Sequence, residues 1–282
     1  MKKLFALLLA AAMVLSMAAC GTDSASSAVS EAPAASEASA AAEAPADDSD
    51  LSYIQGKGTL VVGITDFEPM DYKDESGNWI GFDADMASAF AESLGVKAEF
   101  VEIDWDNKIM ELDGKTIDCV WNGMTLTPEV TSAMDCSKPY CNNAQVVIVP
   151  KDVADQYQDT ESVKALTFAV EAGSAGEQEV TALGASCTPV KTQADALMEV
   201  AAGTSDAAVI DSLMAAAMVG EGTSYADLTY TINLNSEEYG VGFRKGSDLV
   251  SALNDFFAAS YADGSMMKTA ETYGVQAAVM AQ

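Results

Sequence analysis

The sequence predicts an α/β fold in which helices cover the faces of parallel sheets. Short runs rich in β-branched residues, such as Thr59–Ile64 and Gln145–Val149, have the length and composition of buried strands. Segments with apolar residues at helical spacing lie between such runs. One is Asp83–Leu94, which Gly95 follows in the position of a helix stop. Strands that alternate with helices in this way form parallel sheets.

Both patterns recur along the chain after residue 58. Strands are predicted at Thr59–Ile64, Lys97–Ile103, Thr116–Trp121, Gln145–Val149, Leu166–Val170, Ala207–Ile210 and Tyr239–Phe243. Helices are predicted at Asp83–Leu94 and Asp106–Leu112, from Gly176 onward, at Ala194–Ala202 and Ser212–Val219, and near 247–262 and 264–273. Ligands of such folds bind beyond the carboxyl ends of the strands. The residues that directly follow each strand are therefore the candidates for a binding site.

The first 50 residues predict an exported and tethered protein. Residues 1–19 combine two lysines, an apolar run and two small residues, which is the pattern of a secretory signal peptide. Cys20 follows two alanines as in a bacterial lipobox, although Met17 stands where the lipobox usually has Leu. We expect cleavage before Cys20 and its lipidation; an incidental cysteine is the alternative. Residues 21–50, rich in Ala, Ser and Glu, bury too little surface to fold and predict a disordered linker, with a helix as the alternative.

The composition excludes several classes of function. The chain carries 14 Lys and Arg against 43 Asp and Glu, a net charge of −29, and such a surface repels nucleic acid. It has no histidine, the commonest general base and metal ligand. No two cysteines have the spacing of a zinc or thioredoxin motif. We expect no cofactor, metal or nucleic-acid partner, and free thiols after Cys20, with a Cys136–Cys141 bridge as the alternative.

Side chains suited to bind a small ligand follow several of the predicted strands. Phe67 and Trp105 can form apolar walls, and Thr125 and Ser174 can donate hydroxyl groups. The turn that contains Ser174 precedes a helix, whose first backbone N–H groups bind anions. Asp211 ends a strand and is suited to hold an ammonium group. The alternatives are helix capping for Ser174 and Asp211 and a surface-covering role for Trp105.

Six stretches occur in a specific order. They are LVVGITDFEPMDY (60–72), WIGFDADMASAFAESLG (79–95), IDCVWNGMTLTPEVTSAMDCSKPY (117–140), FAVEAGSAG (168–176), DAAVIDS (206–212) and EYGVGFRKGS (238–247). In this order they resemble the family 3 solute-binding proteins of bacterial ABC transporters, the polar amino acid receptors. The resemblance covers essentially all of residues 51–282.

The resemblance implies a two-lobed periplasmic-binding-protein-like fold (type II) with the ligand in the inter-lobe cleft. Lobe 1 would comprise 51–141 and 239–282, and lobe 2 would comprise 142–238, with crossover hinge strands near 140–144 and 237–240. The lobes would close over an amino acid or related small amine and present a shape that an ABC permease recognises. A monomer anchored to the outer face of the cell membrane is expected, with no catalytic role.

Carried over one position at a time, the resemblance assigns the ligand contacts. It assigns aromatic packing on the ligand to Phe67 and Trp105. Contacts with the α-carboxylate and amine of the ligand are assigned to Asn122, Gly123 and Thr125. Ser174 and the Ala175 amide would also contact the carboxylate, and Asp211 would bind the α-ammonium group. Two less favoured functions stay open. One is a sensor subunit that reports occupancy to a signalling partner. The other is a dehydratase acting on cyclohexadienyl substrates with the same fold.

One position departs from the family pattern. The family usually reads T-x-E-R in the loop after the third strand, and the arginine binds the α-carboxylate, whereas this chain has Val130. Losing such a bidentate pair costs roughly 2–3 kcal/mol, or roughly 30- to 150-fold in affinity. Three explanations stay open. A nearby cation, Lys108 or Lys138, replaces the charge of the arginine; the helix N-terminus at Ser174 binds the carboxylate alone; or the ligand is an amine without a carboxylate. Glu171 hints at a cationic or hydrogen-donating ligand side chain.

Overall fold

The computed structural model describes residues 49–282, so the predicted signal peptide, Cys20 and the linker up to residue 48 lie outside the described part. The strands are β1 (Thr59–Ile64), β2 (Tyr72–Lys73), β3 (Trp79–Ile80), β4 (Lys97–Glu102), β5 (Cys119–Thr125), β6 (Asp135–Cys136), β7 (Cys141–Asn143), β8 (Gln145–Pro150), β9 (Thr167–Glu171), β10 (Ser186–Val190), β11 (Ala207–Asp211), β12 (Leu228–Asn233) and β13 (Glu237–Phe243). The helices are α1 (Asp50–Lys57), α2 (Phe82–Ser93), α3 (Lys108–Asp113), α4 (Pro128–Ala133), α5 (Thr160–Val163), α6 (Ala175–Leu183), α7 (Gln193–Ala202), α8 (Ser212–Met218), α9 (Leu249–Ala262) and α10 (Ser265–Thr272).

The first sheet has the strand order β4-β1-β5-β13-β6, and β7 also pairs with β13. β1 runs parallel to β4 and β5, and β13 is antiparallel to β5. Leu60 and Ile64 of β1 are fully buried, and burial of each stabilises the fold by roughly 1.5–3 kcal/mol. Phe257 of α9 packs edge-on against Trp121 of β5, with ring centroids 5.5 Å apart. These contacts fix the strand ends that carry the first half of the candidate site.

The second sheet has the strand order β10-β9-β11-β8-β12. β9 runs parallel to β10 and β11, whereas β8 is antiparallel to β11 and β12. Helices α6 and α7 pack on this sheet. α7 begins with a capping box formed by Thr192 and Asp195, and it ends at Gly203, whose φ of +73° favours glycine. The capped helices hold the ends of β9 and β11 in place.

The two sheets are mixed, whereas the alternation of strands and helices predicted parallel sheets. The parallel prediction holds for β1, β4, β5, β9, β10 and β11 and fails at β8 and β13, the strands that follow each passage of the chain between the sheets. Neither strand is reached through a crossover helix, and antiparallel pairing needs none. The edge strands β10 and β12 were not predicted because their mainly half-exposed residues form no apolar run. β5 extends to Thr125, beyond its predicted end at Trp121.

The chain passes between the sheets twice, from β7 to β8 and from β12 to β13. β7 and β13 pair with each other in antiparallel orientation, with Asn143 opposite Glu237 and Cys141 opposite Tyr239. The two crossovers therefore lie side by side. The predicted fold class, a two-lobed type II α/β fold, is confirmed. Within residues 49–282, no helix has the length and apolar character needed to cross a bilayer.

The four cysteines of the described part are free thiols, as predicted. Cys119 and Cys141 are buried, whereas Cys136 and Cys187 are half-buried. Burial raises the pKa of the Cys136 thiol to about 11 and also raises the pKa of the Cys119 thiol. The protonated thiols act as small apolar side chains in this fold.

Candidate ligand-binding site

A cleft is formed by strand ends of both sheets. Its walls include every predicted ligand-binding residue except Phe67, namely Trp105, Asn122, Gly123, Thr125, Ser174, Ala175 and Asp211. The walls also include three glutamines that the sequence did not single out as site residues, namely Gln145, Gln178 and Gln193. The topology therefore brings together residues that are up to about 100 positions apart in the chain because parallel strands end at the same sheet edge.

Phe67 lies behind the cleft wall. Its ring is 2% exposed and packs edge-on against Tyr239, with centroids 6.3 Å apart. A Cβ atom at Gly123 would lie 2.4 Å from Cε1 of Phe67, and the φ of Gly123 is +52°. Gly123 is needed at this point because the backbone and the aromatic ring approach so closely. Phe67 thus supports the wall on which a ligand would rest.

The Asn122 side chain is fully engaged inside the protein. Its Oδ1 accepts hydrogen bonds from the Thr65 amide at 2.9 Å and the Thr65 hydroxyl at 2.8 Å. Its Nδ2 donates to the Thr65 carbonyl at 3.1 Å and to Asp71 at 2.8 Å. These four bonds use the full capacity of an asparagine amide. Asn122 therefore positions the cleft wall, and its side chain has no hydrogen-bonding group left for a ligand.

A buried carboxyl group fixes the neighbouring backbone. Oδ2 of Asp83 accepts hydrogen bonds from the Gly123 amide and from the Tyr140 hydroxyl, each at 2.7 Å. Burial raises the pKa of Asp83 to about 7. Because Tyr140 directly precedes β7, this carboxyl group joins the cleft wall to the start of a crossover strand. The GFDAD segment (81–85) of the second family stretch thus has a structural role at this site.

Ser174 is the N-cap of α6, as its capping alternative proposed. Its Oγ accepts a hydrogen bond from the Glu177 amide at 3.1 Å. This contact uses an acceptor position and not the hydroxyl proton, so Ser174 retains a donor. The amide groups of Ala175 and Gly176 have no intrahelical acceptor because they lie in the first turn. This end of α6 can bind a carboxylate or another group that accepts hydrogen bonds.

Asp211 ends β11 and is nearly completely buried at 3% exposure. Asp211 occupies the N-cap position of α8, as its capping alternative proposed, but its side chain makes no capping hydrogen bond. Its carboxyl group instead accepts hydrogen bonds from the amide groups of Asn143, Gln145 and Gln193. Burial, followed by the nearby Glu237 carboxylate, holds the pKa of Asp211 well above its ordinary value. A cationic group beside Asp211 would relieve both costs.

Glu237 was predicted only as part of a crossover, yet it contacts the site from β13. Its Oε1 accepts hydrogen bonds from Thr125 at 2.9 Å, Gln145 at 2.8 Å and Asn143 at 2.7 Å. Thr125 belongs to the first sheet and Gln145 to the second. One carboxylate therefore links both sheets and both crossover strands. Its location at the crossover was the only sequence signal for this role.

Glu171 is a second carboxyl group in the cleft wall. It ends β9, is 3% exposed, and its Oε1 has no hydrogen-bond partner among the described residues. Burial raises its pKa to about 8, although Thr65, Lys108 and Gln193 lower it in part. A buried oxygen without a partner costs about 1–3 kcal/mol. Glu171 is therefore the group of this cleft most in need of a hydrogen-bond donor.

Val130 replaces the family's arginine with an apolar surface. It is 4% exposed and belongs to the same apolar cluster as Trp105 and Met134. Lys138 is exposed and does not line the cleft, whereas Lys108 does. Nζ of Lys108 donates to the Trp105 carbonyl at 3.1 Å and to the Gly173 carbonyl at 2.9 Å. The lysine is thus already used to join α3 to the loop after β9.

Metal binding finds no support in the described part of the chain. No three His, Cys, Asp or Glu side chains of residues 49–282 are grouped so as to hold a metal ion. The cleft instead offers carboxylates, amides, hydroxyls, a helix N-terminus and the half-apolar wall of Trp105 and Val130. These features are typical of a two-lobed binding protein that encloses a small polar molecule.

The chain belongs to the bacterial extracellular solute-binding proteins, family 3, whose family model matches residues 60–276. The L-cystine-binding protein TcyJ of Escherichia coli is 28% identical over 233 residues, which cover 81% of this chain and 87% of that protein. The arginine-binding extracellular protein ArtP of Bacillus subtilis is 28% identical over 281 residues, which cover 95% and 96%. A crystal structure of a mutant of ArgBP from T. maritima has a TM-score of 0.75 at 33% identity and covers 80% of this chain and 99% of that one.

An enzyme also shares part of the sequence. Cyclohexadienyl dehydratase of Pseudomonas aeruginosa is 31% identical over 119 residues, which cover 42% of this chain and 44% of the enzyme. The relatives that align over most of this chain are named as binding proteins. The similarity to the dehydratase is therefore more limited than the similarity to the binding proteins.

Proposed function

We propose that the protein captures an amino acid or a related small amine. The buried Asp211 carboxyl group carries this proposal, because it lies in an enclosed cleft with the N-terminus of α6 and is suited to an ammonium group. The names of the relatives, which include cystine- and arginine-binding proteins, agree with this ligand class. Calorimetry with the common amino acids, diamines and polyamines tests it. If no compound of this panel binds at millimolar concentration, the proposal is wrong.

The ligand is proposed to hold two lobes together. We assign lobe 1 to 51–141 and 239–282 and lobe 2 to 142–238, with the hinge at the paired strands β7 and β13. Contacts across the cleft support a closed form: Gln178 donates to Glu129 at 3.2 Å, and Lys191 forms an ion pair with Glu102 at 3.2 Å. Small-angle X-ray scattering should show a smaller radius of gyration with ligand than without it. An unchanged radius would contradict closure.

The captured ligand is proposed to pass to an ABC importer, with the binding protein tethered to the outer face of the membrane through lipidated Cys20. Metabolic labelling with a radioactive fatty acid should label the full-length protein and not its Cys20→Ala variant. Ligand uptake into proteoliposomes that contain the cognate permease and ATPase should require the binding protein. Ligand binding without such uptake would favour the sensor function instead.

A further inference from the structure

The unpartnered Glu171 oxygen points to the chemistry of the ligand. Its side chain is 3% exposed, and Oε1 finds no donor among residues 49–282. Lys108, the nearest basic group of the cleft, donates to two backbone carbonyls. Asp195 and Asp211, the other charged groups that act on Glu171, are acidic. A donor for this one oxygen, Oε1, would therefore come from the ligand or from water.

The charged side chains of the cleft also indicate that the ligand carries hydrogen-bond donors with positive charge. Its walls contain one cationic side chain, Lys108, and three carboxylates, Glu129, Glu171 and Asp211, within the described part of the chain. Glu237 adds a fourth carboxylate through shared amide donors. A zwitterion with a neutral side chain brings no net charge to this surplus. Burial raises the pKa of Glu171 to about 8 and holds the pKa of Asp211 well above its ordinary value. A cation beside each carboxyl group would stabilise its ionised form, so a ligand with more than one positive group fits better.

With Val130 in place of an arginine, the cleft lacks the side chain that would bind a ligand carboxylate most strongly. The apolar side chain of Val130 joins the cluster of Trp105 and Met134 and offers no hydrogen bond. The neighbouring Glu129 is acidic and accepts a hydrogen bond from Gln178. What remains for a carboxylate is Ser174 with the first amides of α6, together with the third N–H of Lys108. The corner of the cleft near Val130 thus disfavours an anionic group.

We infer that the cleft selects a ligand with two cationic nitrogen groups joined by a short aliphatic chain, one held by Asp211 with Glu237 and the other by Glu171. This inference rests on the proposed function and narrows it to diamines and to amino acids with a cationic side chain. Glu171 is the residue that determines this specificity, because it provides the second acceptor. Trp105 and Val130 provide an apolar surface for the chain between the two groups.

Matched compounds test the two cationic groups of the ligand separately. Putrescine has two ammonium groups, butylamine lacks one of them, ornithine adds a carboxylate to putrescine, and norvaline is ornithine without its side-chain ammonium. Cadaverine and lysine extend the chain by one methylene. In calorimetry, at least one diammonium compound should bind roughly 10- to 100-fold more tightly than its monoammonium counterpart. Equal affinity of norvaline and ornithine, and of butylamine and putrescine, would overturn the inference while leaving the proposed function intact.

A variant of Glu171 tests the assignment. Glu171→Gln keeps the shape of the protonated side chain and should reduce the preference for diammonium compounds to within a few-fold. Glu221 is exposed and does not line the cleft, and Glu221→Gln is the control with the same chemical substitution outside the site. Circular dichroism checks that both variants fold. A preference that persists unchanged in folded Glu171→Gln would show that another group binds the second cation.

Discussion

Proton release on ligand binding is the most direct consequence of a buried Glu171. With a pKa of about 8, this carboxyl group is roughly 90% protonated at pH 7 in the free protein. A cation placed beside it favours the ionised form and lowers its pKa in the complex. Binding at pH 7 should therefore release about 0.9 proton from Glu171.

The same linkage sets the pH dependence of affinity. The pKa of Glu171 is higher in the free protein than in the complex, so affinity must rise with pH between the two values and become constant above the free value. Between pH 6 and pH 8 the ionised fraction of a group with a pKa of about 8 rises about 50-fold, and affinity for a diammonium ligand should rise in proportion. Asp211, whose pKa is also raised, makes affinity depend on pH in the same direction.

Calorimetry in two buffers of different ionisation enthalpy measures the released protons. The observed binding enthalpy at pH 7 should differ between phosphate and Tris buffers, and the difference gives the number of protons. In Glu171→Gln the contribution of Glu171 disappears, so fewer protons should be released. An enthalpy independent of buffer in the wild type, or equal proton release in wild type and variant, would refute the reasoning.

Four substitutions probe the remaining contacts. Asp211→Ala should weaken binding at least roughly 100-fold and leave cooperative urea unfolding intact, whereas a loss of only a few-fold would exclude Asp211 as the ammonium site. Glu237→Gln should lower the pKa of Asp211 and shift the pH profile of affinity to lower pH; an unmoved profile would exclude the coupling. Gly123→Ala should reduce the free energy of unfolding by about 2–4 kcal/mol, because residue 123 has a positive φ and the new Cβ would lie 2.4 Å from Cε1 of Phe67. An unchanged urea unfolding curve would contradict this prediction. Val130→Arg should raise the affinity ratio of ornithine to putrescine about tenfold by calorimetry, and an unchanged ratio would mean that no carboxylate binds near residue 130.

The sequence predicted the parts of the site that depend on local patterns. The apolar runs of β9 and β11 are long enough to be recognised, and their ends carry Ser174 and Asp211 into the cleft. Chemical character alone suggested the two roles, because a residue at the end of a parallel strand lies at the edge where ligands bind. Ser174 still proved to be a helix cap as well, since one hydroxyl can accept and donate.

These local patterns could not predict contacts between residues that are far apart in the chain. Whether Asn122 faces a ligand or the interior depends on Thr65 and Asp71, which occupy all four of its hydrogen bonds. The importance of Glu237 depends on Asn143, which lies opposite it only after the two crossover strands pair. Periodicity reports the face of a helix or strand, and it does not report which side chains share a hydrogen bond across 94 residues.

Val130 and Glu171 change the charge of the cleft in the same direction. Val130 stands where the resemblance places a positively charged arginine, and Glu171 adds a carboxyl group that ionises when a cation binds beside it. Once a bound cation has ionised Glu171, the cleft carries two more negative charges than one that matches a neutral zwitterion, and it should match a ligand with two net positive charges. Putrescine carries two such charges, whereas ornithine carries one, because its carboxylate cancels the other.

Charge balance therefore favours the diamine over the diamino acid. We expect putrescine or cadaverine to bind at least as tightly as ornithine or lysine in the same calorimetric series. Among residues 49–282, Ser174, the first amides of α6 and the third N–H of Lys108 oppose this order, because they can bind a carboxylate. If ornithine or lysine binds more than tenfold more tightly than its matching diamine, the end of α6 carries the carboxylate without an arginine. In that case the charge added by Glu171 is balanced by the side-chain ammonium alone.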